Sequence, residues 1–333
     1  MKLGTIAALA ATIAAAPALG APVDLKFSYP GPPQAKTYSQ GVLPWIEEVN
    51  KEAVGIVEIK PFVGMNLATP TNVYDRVLNG VADFGFGLSG LYPQQFPRTM
   101  VAMLPFETRS GSEAAVALWH LYEKGVIAPE YANLKPVALS AFANISFHSR
   151  KPVGAIADFK GLRISTDSRI MAQVITRLGA APITMPPTDI YQALQRGTID
   201  ASGIGWPGIL PFKLNEVVHY HLDAAVAAGA LFNIMNKDSY AKLPEKGRAV
   251  IDKLGGMNFS QMMGRAVDAM NADGLNYTKH MPNQTISELS PQAEAQWRKL
   301  MQPVTDEWVK NTPDGAKVLA AYRAEIKTIR GGK

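Results

Sequence analysis

Along this chain the apolar positions switch repeatedly between the period of a strand and that of a helix. Residues 24–30 (DLKFSYP) alternate as a first strand. Residues 37–53 carry the stripe of an amphipathic helix with a break near Pro44, and residues 57–64 (VEIKPFVG) alternate again. A helix over 112–125, closed by Gly125, precedes a long β-like run at 134–149. Then come a turn and strand at 157–166, a helix at 168–180 and a strand at 181–187. Two strands are expected at 217–225 and 229–237. The remainder reads as helices over roughly 244–280, 291–311 and 315–329, with breaks at Pro282 and Pro291. Two runs of βαβαβ followed by helices imply an α/β fold of two lobes, each with a parallel-rich sheet flanked by helices.

One unit occurs twice. Tyr74, Val77, Gly80 and Asp83 recur as Tyr191, Leu194, Gly197 and Asp200, all at one offset. Each copy reads as a short helix, a glycine stop and a buried strand. Gly80 and Gly197 fit the left-handed position after a helix, where a side chain would clash. A duplicated unit far apart in sequence points to two similar lobes.

Composition narrows the function. The chain has 333 residues, a diffuse net charge of +5 and no run of Lys or Arg, so nucleic acid is not expected as a partner. It has no cysteine, which excludes disulfides, thiolate catalysis and Cys-ligated zinc. Residues 1–21 have a basic start, an apolar stretch and small residues before Pro22, the pattern of a cleaved export signal. The cut is placed after Gly20 or Ala21, Gly20 being favoured, and the mature chain is expected in the periplasm as a monomer.

Several motifs invite other chemistry. Gly85, Gly87 and Gly90, and again Gly203, Gly205 and Gly208, form G-x-G-x-x-G strings after expected strands. Such strings can cradle a dinucleotide, which makes a Rossmann-type nicotinamide-dependent oxidoreductase the alternative function. Pro93 and Pro207 disturb the helix that should follow each string. His219 and His221 share a strand face without a third metal ligand nearby, so no metal and no cofactor are expected. No G-x-S-x-G or H-E-x-x-H motif is present, and no catalytic residue is assigned.

The run DFKGLRIST at 158–166, then LGAAPITMPPTDIYQALQRGTIDAS, resembles the signature of the extracytoplasmic solute-binding proteins of TRAP transporters, the DctP-like family. The first copy, PFVGMNLATPTNVYDRVLNGVADFGFG, and LPF at 104–106 match as well. The resemblance implies a non-enzymatic, two-lobed binding protein that closes on a small organic acid and docks on a membrane permease. It implies a periplasmic-binding fold with a long helix crossing between the lobes. Lobe I is expected to comprise 22–147 plus about 231–275, and lobe II 148–230 plus about 276–333.

The sequence departs from the family where the ligand's carboxylate should be held. Ser165 stands at the position of the arginine that pairs with it, Ile145 at that of a second pocket arginine, and Leu88 and Leu91 at charged positions. Removing one partner of a buried charge pair costs ~2–5 kcal/mol, so dicarboxylates and sugar acids are disfavoured. Charge could return from Arg163, on the same strand face as Ser165, or from Arg169 in the first turn of the following helix. The expected ligand is an apolar or aromatic monocarboxylate, with Trp206, Phe147, Tyr29, Leu88 and Asn233 completing the candidate site.

Overall fold

The computed structural model describes residues 21–331, so the expected export signal lies outside the described residues but for Ala21. Strand β1 (Val23–Tyr29) leads through a π-helical turn at Thr37–Val42 into α1 (Leu43–Glu52), and β2 (Val57–Val63) returns. Helix α2 (Val73–Leu78) and β3 (Phe84–Leu88) follow, then α3 (Gly111–Glu123) and the 16-residue β4 (Leu134–Ser149). The next stretch holds β5 (Arg163–Thr166), α4 (Arg169–Arg177), β6 (Ala181–Thr184), α5 (Ile190–Gln195) and β7 (Ala201–Gly205). The 17-residue β8 (Tyr220–Asn236) precedes α6 (Lys237–Lys242), α7 (Glu245–Leu254) and the 24-residue α8 (Met257–His280). Strand β9 (Thr285–Glu288) and helices α9 (Pro291–Asn311) and α10 (Gly315–Gly331) end the described chain.

The strand order is β2-β1-β3-β8-β4-β7-β5-β6, with β9 added beside β8. Read outward from the centre, β8-β3-β1-β2 and β4-β7-β5-β6 are the same arrangement. In each half one antiparallel pairing is followed by two parallel ones. The central strands β4 and β8 pair antiparallel along their length. This is the α/β, two-lobed architecture that the duplicated unit implies.

The unit recurs atom for atom. Gly80 and Gly197 sit at φ of 69° and 70°, a conformation a side chain disfavours by ~1–2 kcal/mol. Asp83 accepts the Lys26 amide at 2.7 Å and returns its own amide to the Lys26 carbonyl at 2.9 Å. Asp200 does the same with Arg163, at 2.9 and 2.8 Å. Each aspartate thus latches a neighbouring parallel strand, at the middle of β1 in one half and at the first residue of β5 in the other.

The expected strands 217–225 and 229–237 are one continuous β8. Its middle, Ala224–Ala230, is small and almost wholly buried, so alternation disappears, and Ala225 at φ of 45° adds a local kink. The four-residue β9 falls in what reads as a linker between two prolines.

An aromatic stack holds α1 and α8 on the first half. Phe27 and Phe84 stack at 5.7 Å, and Trp45 stacks on Phe259 at 4.5 Å. Helix α8 packs on α3 and β4 and reaches the turn at Trp206. A Cβ on Gly274 would lie 2.2 Å from the Trp206 carbonyl oxygen, so only glycine lets the helix pass this close.

Candidate ligand cavity

Parallel strands leave their carboxyl ends open on one side of a sheet, and ligands collect there. Tyr29 ends β1, Leu88 ends β3, Gly205 ends β7 and Asp167 directly follows β5. All four line one cavity of about 110 Å³, to which both halves contribute. Its further walls include Phe86, Phe142, Ile145, Ile204, Phe212 and Met270. The size is of the order of the ~150 Å³ apolar cavity that accepts a benzene ring.

The cavity is poor in charge. Among the described residues, no Lys, Arg or His lines it. Its two ionisable groups are the Tyr29 phenol and the Asp167 carboxyl. The Tyr29 hydroxyl is bonded to Thr37 Oγ1 at 2.6 Å, and burial pushes its pKa up, so it stays neutral. Asp167 is half-buried in this apolar wall, and its desolvation pushes the carboxyl up from 3.8 to about 6, opposed only by its own backbone amide. Gly31 folds over Tyr29 closely enough that a Cβ would lie 2.7 Å from the ring.

Of the eight residues expected at the site, Tyr29 and Leu88 line this cavity. Ile145 and Ile204, apolar where the family pattern carries polar groups, line it too. Arg163 does not. Its Nε and Nη2 bind the Asp200 carboxylate at 2.9 Å each, and Nη2 also binds the Gly197 carbonyl. Arg163 begins β5 whereas the cavity lies at its far end, about 13 Å away for four residues of strand. Sharing a face with Ser165 does not bring it to this cavity. Ser165 is buried against Ser202, Oγ to Oγ at 2.8 Å. Arg169 is exposed and lines a separate surface depression with Gln94, Gln173 and Glu307. Phe147 is core, packed on Phe159 and Trp297. Trp206 is buried against the rings of His148 and His221, and Asn233 is buried beside Phe86 in the register. Trp206 Nε1 and Asn233 Oδ1 have no hydrogen-bond partner among the described residues.

His221 pairs with His148, Nδ1 to Nδ1 at 2.7 Å, and its Nε2 meets Gln284 Oε1 at 2.8 Å. Burial holds both histidines below the ordinary range, His148 well below. No group of three or more His, Cys, Asp or Glu that could hold a metal occurs among the described residues.

The glycine strings also have a structural reason. Gly85 lies beneath Val73 and Val77, where a Cβ would come within 2.7 Å of both. On Gly87 it would lie 2.3 Å from Phe232 Cζ, and on Gly203 2.8 Å from Met171 Cε. These glycines let a helix or an aromatic ring settle on the sheet, and no phosphate cradle is needed to explain them.

Sequence reasoning passed over Phe86, Phe142, Phe212 and Met270, whose spacing carries no motif. Asp167 was recognisable only as a helix-capping neighbour. Its place just past the carboxyl end of a parallel strand was the available signal.

An apolar cavity walled by two like half-sheets is what a two-lobed solute-binding protein presents. The chain belongs to the bacterial extracellular solute-binding protein family 7, DctP, whose model matches residues 28–311. It is a TRAP solute-binding protein and not an enzyme, which removes the oxidoreductase alternative. It is 28% identical to a TRAP solute-binding protein of Rhodoferax ferrireducens T118 solved with copurified benzoate, at a TM-score of 0.87 over 92% of this chain and 98% of that one. A Bordetella bronchiseptica TRAP periplasmic solute-binding protein, solved with bound (R)- and (S)-mandelate, is 26% identical at a TM-score of 0.85 over 92% of this chain and 100% of the other. Among curated relatives, the outer membrane transporter protein TsaT of Comamonas testosteroni is 26% identical over 317 residues, 90% of each chain. No helix among the described residues is long and apolar enough to cross a membrane.

Proposed function

We propose that this protein is the substrate-binding subunit of a tripartite TRAP secondary transporter. It captures an aromatic or otherwise apolar monocarboxylate in the periplasm and delivers it, as a monomer, to the membrane permease. The observation that carries this reading is the 110 Å³ cavity, walled by aromatic and aliphatic side chains of both halves and lined, among the described residues, by no basic side chain. An aromatic ring with ~150 Å² of surface contributes ~4 kcal/mol on burial at ~25 cal/mol per Å². That is about half of the ~8 kcal/mol of micromolar affinity. A second carboxylate would lose its water without gaining a partner, which disfavours dicarboxylates. The benzoate and mandelate held by the Rhodoferax and Bordetella proteins are acids of the favoured kind.

Capture works through closure of the two lobes, with lobe I as 22–147 plus about 231–275 and lobe II as 148–230 plus about 276–333. The mirrored half-sheets support this division for the strands, while α10 bonds Glu107, Thr108, Glu113 and His120 of lobe I. Carrying an open population of 99:1 to mostly closed requires ~5.5 kcal/mol of preference for the closed state, within reach of a micromolar ligand. Calorimetry with benzoate and mandelate against C4-dicarboxylates and galacturonate tests the reading. Binding confined to the dicarboxylates or sugar acids overturns it. Small-angle scattering should show compaction on saturation with the preferred acid.

A further inference from the structure

A carboxylate entering the cavity leaves water and meets no cation: among the described residues the charged side chain lining the cavity is that of Asp167. The two arginines nearest in sequence are committed elsewhere, Arg163 to Asp200 and Arg169 to the surface depression beside Gln173. Asp167 sits where the halves meet, since a Cβ on Gly90 of the first half would lie 3.3 Å from its main-chain oxygen.

The groups facing it are few. From β1 comes the Tyr29 phenol, neutral and bonded to Thr37. The end of β3 brings Leu88, and α8 brings Met270, neither of which titrates. The turn before α5 brings Pro187 and Thr188, while the exposed Asp189 is bonded to Thr188 and does not line the cavity. Among the described residues no charged neighbour acts on the Asp167 carboxyl; desolvation moves it toward the neutral form against the pull of its own backbone amide. Two carboxylates in one apolar chamber cannot both stay ionised, and a single shared proton resolves the conflict.

We propose that Asp167 holds the ligand as a carboxylic acid, so that the cavity takes up a monocarboxylate together with one proton from solvent. This rests on the monocarboxylate reading above. The Asp167 O–H donates to an oxygen of the ligand carboxylate, no bond between heavier atoms changes, and the proton returns to solvent on release. A dicarboxylate is refused because the cavity offers no second acid to share a proton with it.

The test is calorimetry of the full chain with benzoate, from about pH 5.5 to about pH 8, in two buffers of different ionisation enthalpy. Near pH 8 the wild type should absorb about one proton per benzoate, and its affinity should fall about tenfold per pH unit above ~6.5. Asp167→Asn, whose amide donates at every pH, should absorb no proton and bind with an affinity that does not vary with pH. Wild-type binding without proton uptake or pH dependence overturns the proposal and leaves the monocarboxylate reading standing. Loss of benzoate by a folded Asp167→Asn protein at every pH also overturns it, because the carboxylate itself would then be required. If neither protein binds benzoate or mandelate at any pH, both readings fall together.

Discussion

Gly87→Ala should destabilise this protein through one aromatic ring. Gly87 lies directly opposite Phe232 across the β3–β8 pairing, and its missing Cβ would come 2.3 Å from Phe232 Cζ and 2.6 Å from Cε2. Ordinary carbon contact begins near 3.5 Å, so the ring must retreat by about 1.2 Å. It has little room: Phe232 is fully buried, with Phe96 at 5.1 Å and Tyr92 at 5.8 Å between ring centres. Overpacking of this kind costs ~1–3 kcal/mol, offset by ~0.5–1 kcal/mol because alanine loses less backbone freedom than glycine. The net expectation is a loss of about 1–2 kcal/mol, read as a lower urea midpoint at unchanged slope. Repeating the substitution in a Phe232→Ala background removes the nearer obstacle and leaves Val73 Cγ1 at 3.0 Å, so most of the cost should vanish there even though that background is itself ~3–5 kcal/mol less stable. A Gly87→Ala protein as stable as the wild type, or an equal cost in both backgrounds, would refute the packing account of the glycine strings.

Asp167, raised by burial from 3.8 to about 6, favours the fold fully below pH 3.8 and loses that contribution as pH rises through about 6. The difference of about 2 units is worth at most ~3 kcal/mol, so ligand-free Asp167→Asn should show a flatter dependence of urea midpoint on pH, and an identical slope would contradict it. Leu88→Ala removes apolar wall and should weaken benzoate about tenfold (about 1.4 kcal/mol), with an unchanged affinity by calorimetry counting against the cavity as the binding site. Arg163→Ala should leave benzoate affinity within about twofold, since its guanidinium binds Asp200 at the far end of β5; a tenfold loss would show that Arg163 reaches the ligand.

Where the sequence was legible, the signal was local. A glycine forced to positive φ and an aspartate three residues later mark each copy of the duplicated unit, and both devices act within a few residues of themselves. Amphipathic helices and the full span of β4 were readable for the same reason. Strand β8 was read as two because burial on both faces erases alternation. The site was harder because it is assembled by topology. Alternation tells which residues share a face of β5 but not which end of the strand opens on the cavity, so it points to Arg163 and not to Asp167. Trp206 and Phe147 have the chemistry of a ligand wall, yet both are buried in the second half, Phe147 against Phe159 and Trp297 and Trp206 against His148 and His221.

The two central strands carry a mechanical consequence. At the sheet's midline β4 and β8 run through as two continuous ribbons. Flexing is then distributed as in a leaf spring, not concentrated as at a door's pin. The ribbons are least regular at Phe142, Ile145 and Phe147, where the pairing slips register, and Phe142, Ile145 and their neighbour Gly229 also form part of the chamber wall. Whatever fills the chamber therefore touches the two ribbons where their pairing is irregular.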